Sequence, residues 1–302
     1  MEHSWAENNS QSLFYSADFL ASCFEYPGAT LSLAPTIYDG TTPIAFAAAI
    51  PRRVALNGRE LHVVIITFLT AANEYKKRGY GIVIWKEVVR RVQAAGFDGM
   101  VNYGTEGEPM NSMIPKCCRM LRLPTAHIRT IPYWSRIVLP KKPQSDQPEP
   151  AENMVERFLE LTMPMKQTQM ARLWTNEEAN WQCQRRVGSV VAELELGLRR
   201  GMLVGYIIPV ANANRTKCLM IEDVLWGNLE LREREMLVRT LLDRAASAGA
   251  QLAVVPVLGY ADLEPFHSMR FRPSQRVQHA YLTVWNGDAV TDDLPSMYLD
   301  VF

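Results

Sequence analysis

The spacing of apolar and polar positions predicts strands alternating with amphipathic helices. Residues 61–69 form an apolar run rich in Val, Ile, Phe and Thr, which reads as a buried strand. Residues 82–95 then place Trp85, Val88, Val89 and Val92 on one helical face, with Lys86, Glu87, Arg90 and Arg91 elsewhere, and Gly96 ends the helix. A short strand at 97–103, a helix at 111–121 and a strand at 128–139 follow, and Pro132 disfavours a central place for the last of these. Upstream, 12–24 has the spacing of an amphipathic helix closed by Pro27 and Gly28. Residues 30–38 and 43–53 read as a hairpin about Asp39, Gly40 and Thr41, and Asn57-Gly58 turns the chain into 61–69.

Residues 140–152 interrupt this pattern with Pro140, Pro143, Pro148 and Pro150 among charged and amide side chains, as a linker would. The order then starts again. Helices are predicted at 154–163 and 167–181, strands at 188–196, 202–210 and 218–226, and a helix at 229–248 stopped by Gly249. A strand at 252–258, a short helix at 263–269 and a strand at 279–285 complete it. Each half carries strand, long helix, glycine stop and apolar strand at matching points, so the chain divides into 1–139, a Pro-rich linker at 140–152, and 153–302.

The chemistry concentrates where the first apolar run ends, in Leu69, Thr70, Ala71, Ala72, Asn73, Glu74, Tyr75, Lys76, Lys77, Arg78, Gly79, Tyr80 and Gly81. Three cations stand beside two glycines at a strand-to-helix turn, where main-chain N–H groups and the positive helix end can hold a phosphate. This stretch resembles motif A of the GNAT superfamily of N-acyltransferases, Arg/Gln-x-x-Gly-x-Gly/Ala, with Lys76 where Arg or Gln is usual. Lysine keeps the charge without the planar fork. The resemblance implies that the loop amides, with Lys76, Lys77, Arg78, Gly79, Tyr80 and Gly81, hold the pyrophosphate of coenzyme A, and that Leu69, Thr70 and Ala71 pair with the pantetheine arm. It implies an α/β (α+β) fold, here two tandem GNAT-like domains, each a mixed, mostly antiparallel sheet flanked by helices. In the second half the corresponding turn lacks the glycine pair and carries Glu230, Glu233 and Glu235, which would repel a pyrophosphate, so one donor site is expected.

Composition narrows the partner. The 302 residues contain 32 basic and 32 acidic side chains, so no global field favours nucleic acid or a membrane surface, and no zinc module or basic tail is visible. No apolar run is long enough to span a bilayer, residues 1–12 hold no apolar signal-like core, and the five scattered cysteines suit a reducing compartment. A cytoplasmic protein without metal or disulfide is expected.

Acyl transfer to an amine needs a proton acceptor, donors for the oxyanion and an acid for the thiolate. The family's acid, a Tyr on the helix after the fifth strand, aligns with Cys118, which would protonate the thiolate or accept the acyl group with Arg119 or Arg122 lowering its pKa; a buried, inert cysteine is the other reading. Residues 61–69 offer no carboxylate, so Glu106 is the preferred base, with Tyr103 and His127 as further catalytic candidates; Glu108 lies close by. Asn111 matches a cofactor-binding Asn of the family and also suits a helix cap. The expected activity moves an acyl group from acetyl-CoA or another acyl-CoA, or from a carrier-protein phosphopantetheine, to a small-molecule amine by direct attack. The alternatives are a non-catalytic acyl-CoA-binding or regulatory protein, and a thioester decarboxylase or acyl-loading enzyme using Cys118.

Overall fold

The computed structural model describes residues 12–13, 16–140, 153–211, 216–285 and 293–301. In the first half, β1 (Ser12–Leu13), α1 (Ala17–Phe24), β2 (Thr36–Asp39), β3 (Thr42–Leu56) and β4 (Arg59–Ala71) lead into α2 (Tyr80–Ala94). They are followed by β5 (Gly99–Thr105), α3 (Pro109–Met120) and β6 (Thr125–Ile137). The second half runs α4 (Met154–Thr162), β7 (Met170–Leu173), α5 (Asn176–Asn180), β8 (Ser189–Leu196), β9 (Arg199–Ala211) and β10 (Lys217–Leu225). It closes with α6 (Leu231–Ser247), β11 (Leu252–Pro256), α7 (Glu264–Ser268), β12 (Arg272–Val284) and β13 (Met297–Tyr298).

Each half thus contains a parallel pair joined by a long helix, β4 with β5 through α2 and β10 with β11 through α6. The halves then exchange their last strands. β12 pairs with β5, β6 pairs with β11, and β6 and β12 lie side by side between them. One mixed, mostly antiparallel sheet results, of thirteen strands among the described residues. On one face, α2 buries Ile84, Trp85, Val88, Val89 and Val92 against Ala45, Ala47, Ala49, Val64 and Met100. Also on helix-covered sheet, α6 packs Leu237, Val238 and Leu241 on Leu219, Ile221, Ala253 and Val255 of the second half. A core common to both halves gathers Phe19 and Cys23 of α1, Val63, Ile65, Met220, Val254 and Leu282 of the strands, and Leu294, Leu299 and Val301 near the end of the chain.

Several expectations are corrected. Residues 167–181 are not one helix: Met170–Leu173 is a strand between Leu56–Arg53 of β3 and β13, and a capping box at Thr175 and Glu178 starts a separate short helix. The helix expected from residue 12 begins at Ala17, with the Ser16 hydroxyl accepting from the Phe19 amide, and Ser12–Leu13 pairs with β9 instead. β6 is central despite Pro132. The β11 ladder ends at the pair Pro256–Tyr133, one residue short of Pro132, whose carbonyl accepts from Val257 at 2.9 Å, so no amide is needed there. Of the expected linker, all but Pro140 lies outside the described residues. Among the described residues no helix is long and apolar enough to cross a membrane.

Candidate active site

β4 and β5 face each other through the pairs Val63–Gly99, Val64–Met100, Ile65–Val101 and Ile66–Asn102. Beyond these, β4 keeps β3 as its partner and β5 keeps β12, so the parallel strands part like a V. Within the opening β4 is bulged. Phe68 and Leu69 together oppose Ala47, between the pairs Phe46–Thr70 and Ala48–Thr67, and Phe68 holds a φ of 57°. A bulky side chain in that region is strained, and a bulge shifts main-chain groups off the regular ladder. Shifted amides of this kind are what a developing oxyanion requires.

The motif loop lies just past the bulge and is held from outside. The Tyr75 hydroxyl donates to Asp39 at 2.5 Å, Arg78 stacks on the Tyr75 ring at 5.1 Å, and Tyr80 meets the same ring edge-on. Lys77 at φ 65° and Gly79 at φ 85° bend the chain into α2, for which Gly79 is the cap. The amides of Ile82 and Val83 close on the Gly79 carbonyl, which leaves those of Tyr80 and Gly81 to partners outside the helix. Gly81 has an ordinary helical φ, and a Cβ built there would meet nothing within 4 Å. Helical glycine costs about 1 kcal/mol relative to alanine, and no internal contact requires it here. What its bare backbone provides is access to the helix end. Lys77 and Arg78 are exposed beside it. The second-half counterpart is filled with protein charge: Glu230 and Glu233 form a capping box on α6 and both pair with Arg199.

The other candidates divide between the two sides of the sheet. Glu106 follows β5, its amide bonded to the Val277 carbonyl at 2.9 Å, and lines a cleft of about 780 Å³ with Glu108, Ser135, Met220, Val254 and Arg276. The cleft forms where β12 bulges away from β6 between Pro273 and Val277. Desolvation beside it raises the Glu108 carboxyl, against the influence of Arg276 and Thr105. Tyr103 is tied by its hydroxyl to the Asp300 carbonyl at 2.9 Å, and burial pushes that phenol well above its ordinary value. It holds the last residues against β5. His127 meets His279 at 3.2 Å and Asp293 at 3.5 Å and packs edge-on against Tyr281, away from the cleft. Asn111 stands in the first turn of α3 rather than at its cap, which is Glu108, and accepts from the Tyr281 hydroxyl at 2.8 Å.

Cys118 is 1% exposed, and burial raises its thiol against hydrogen bonds from Thr125 and Thr283. Arg119 and Arg122 are not among the groups acting on it. A thiol so buried is shielded from a thioester and has no cation drawing it toward thiolate.

Sequence reasoning missed a buried ionic cluster behind the bulge. Asp300 takes Arg52 at 2.9 Å and Arg172 at 3.1 Å; Arg172 also donates to Tyr26, whose hydroxyl bonds Glu178; Arg186 bonds Glu222. Among the described residues Asp223 has no guanidinium in hydrogen-bond contact and accepts instead from Gln182 at 2.8 Å and Tyr298 at 2.7 Å. A small chamber between this cluster and the bulge is lined by Arg52, Arg186, Thr67 and Phe68. The one signal in the sequence was the presence of arginine and paired acids inside strand-like runs.

Two structures of Saccharomyces cerevisiae N-myristoyltransferase with bound myristoyl-CoA, one also with inhibitors, superpose with TM-scores of 0.72 and 0.71. They cover 96% of this chain and 79% and 77% of those chains, at 14% and 13% identity respectively. The fold is that of N-myristoyltransferase. Residues 2–107, which include the bulge, the motif loop and Glu106, also match the N-terminal domain of the myristoyl-CoA:protein N-myristoyltransferase family. Among curated protein sequences none matches the chain. The expected mixed, mostly antiparallel sheet flanked by helices is borne out by this likeness of fold, and the expected acyltransferase class agrees with the family that residues 2–107 match.

Proposed function

We propose that the protein transfers an acyl group from acyl-coenzyme A to the N-terminal amine of a polypeptide. The observation that carries this reading is the V between β4 and β5, which opens onto a bulged strand and ends at a glycine-capped, cation-flanked helix. Each part suits one part of the donor. The amides of Tyr80 and Gly81 with Lys77 and Arg78 would receive the pyrophosphate, β4 beyond Ile66 the pantetheine arm, and the bulge at Phe68 and Leu69 the thioester carbonyl.

The acceptor differs from the small-molecule amine expected from sequence. A polypeptide is supported by the family matched by residues 2–107, which acts on protein, and by a cleft of about 780 Å³ that reaches from Glu106 across β11 and β10. In the cleft an amine attacks the thioester carbon and loses its proton to Glu106, directly or through one water. As the C–S bond breaks, the thiolate takes a proton and coenzyme A leaves. The burial of Cys118 favours this direct route over an acyl-enzyme.

The test is turnover. Acetyl-CoA and myristoyl-CoA are each offered with peptides bearing a free or an acetylated N-terminus and with small amines, and products are weighed. Acylation confined to free N-termini supports the reading. Acylation of small amines alone overturns the acceptor, and tight acyl-CoA binding without any product overturns the transfer.

A further inference from the structure

Asn102 is the last β5 residue facing β4 before the strands part, and it is 1% exposed. Its side chain lies on the α2 side, where its Oδ1 accepts from the Trp85 indole N–H at 3.0 Å. An indole nitrogen only donates, so this bond fixes which end of the amide is oxygen and which is nitrogen. The Nδ2 end has no hydrogen-bond partner among the described residues, although it is sealed from solvent. A buried amide with unmade bonds costs about 1–3 kcal/mol, and Trp85 prevents the relief that flipping the amide would give. The orphan stands at the apex of the V, the point to which an inserted donor must reach.

We propose that Nδ2 of Asn102 donates a hydrogen bond to an amide carbonyl of the pantetheine arm, which makes Asn102 a positioning residue for the donor. The inference rests on the acyl-CoA reading of the V. Chemistry selects the arm over the rest of coenzyme A. The nucleotide end is anionic and belongs at the cations of the motif loop, whereas the arm is an extended chain with amide carbonyls, able to lie along β4 as a strand would. A fixed donor at the apex gives such an arm a register, and so sets how far the thioester projects toward the bulge at Phe68 and Leu69.

The experiment compares coenzyme A with adenosine 3′,5′-bisphosphate, which lacks the arm, by calorimetric titration of the wild type and Asn102→Leu. Leucine keeps the volume and removes the donor. A loss of tenfold or more in affinity for coenzyme A, with bisphosphate binding unchanged, is the expected result. Unchanged coenzyme A affinity overturns the proposal, as does an equal loss for both ligands, which would mean general damage to the site. If Asn102→Leu does not fold, the Asn102 side-chain amide protons of the wild type decide, being slowed in exchange by coenzyme A but not by the bisphosphate if the bond exists. Equal exchange in both complexes overturns it. Failure of the wild type to bind coenzyme A at all instead removes the functional reading itself.

Discussion

Ile66 and Asn102 are the last residues at which β4 and β5 face each other, and the site opens from that pair. On the β4 side the chain runs into the bulge at Phe68 and then the helix cap at Gly79; on the β5 side it runs into Glu106 and the cleft. One strand pair thus carries the proposed donor groove along one arm and the proposed acceptor cleft at the end of the other.

Glu106→Gln keeps shape and removes the proposed proton acceptor. A fall in kcat of about 10²–10⁴ with little change in the KM for acyl-CoA is expected, measured as initial rate against donor concentration. A rate within twofold of wild type would move the base elsewhere.

Cys118→Ala leaves the proposed chemistry intact. Turnover should stay within twofold of wild type, and a destabilisation of about 1 kcal/mol by denaturant titration is expected from the buried volume lost. An acylated Cys118 found by mass spectrometry would contradict this.

Asp300→Asn breaks the anchor shared by Arg52 and Arg172. Two buried guanidiniums would lose their counter-charge, at a cost of about 3–5 kcal/mol. Chemical denaturation measures it directly, and a loss below 1 kcal/mol would show the cluster to be solvated.

Asp223 gives stability a pH dependence of its own. Burial, with Glu222 adding to it, raises its carboxyl from 3.8 to about 6. The folded state therefore binds this proton more tightly than the unfolded chain, so the contribution is fully present below pH 4 and is lost as pH rises through 6, by about 2–3 kcal/mol. Asp223→Asn should remove that fall, seen as a flatter unfolding free energy between pH 4 and pH 7 than in the wild type.

The motif loop and the elements around it were legible because glycine, cations and helical spacing act within a few residues of one another. Gly79, Gly81 and the buried face of α2 lie where the sequence places them. The strand exchange was not legible: periodicity tells which face of β6 or β12 is buried and says nothing of which strand lies beside it. Arg52, Arg172 and Arg186 were missed for a related reason, since an arginine counts as a solvent-facing position until a partner from a distant segment, here Asp300 or Glu222, covers it. Residues 167–181 failed because Met170–Leu173 is shaped by the edge of β3, a tertiary partner that outweighs local helix propensity.

The helix end at Gly81 is proposed to receive the donor's phosphates, and calorimetric titration of acetyl-CoA and myristoyl-CoA into the wild type and Gly81→Glu tests this most directly. The glutamate has room to fold, since a Cβ there meets nothing within 4 Å, and sets a negative charge at the proposed phosphate position. Binding by the wild type and a loss of a hundredfold or more in the variant is the predicted result. Equal binding by both proteins would contradict it.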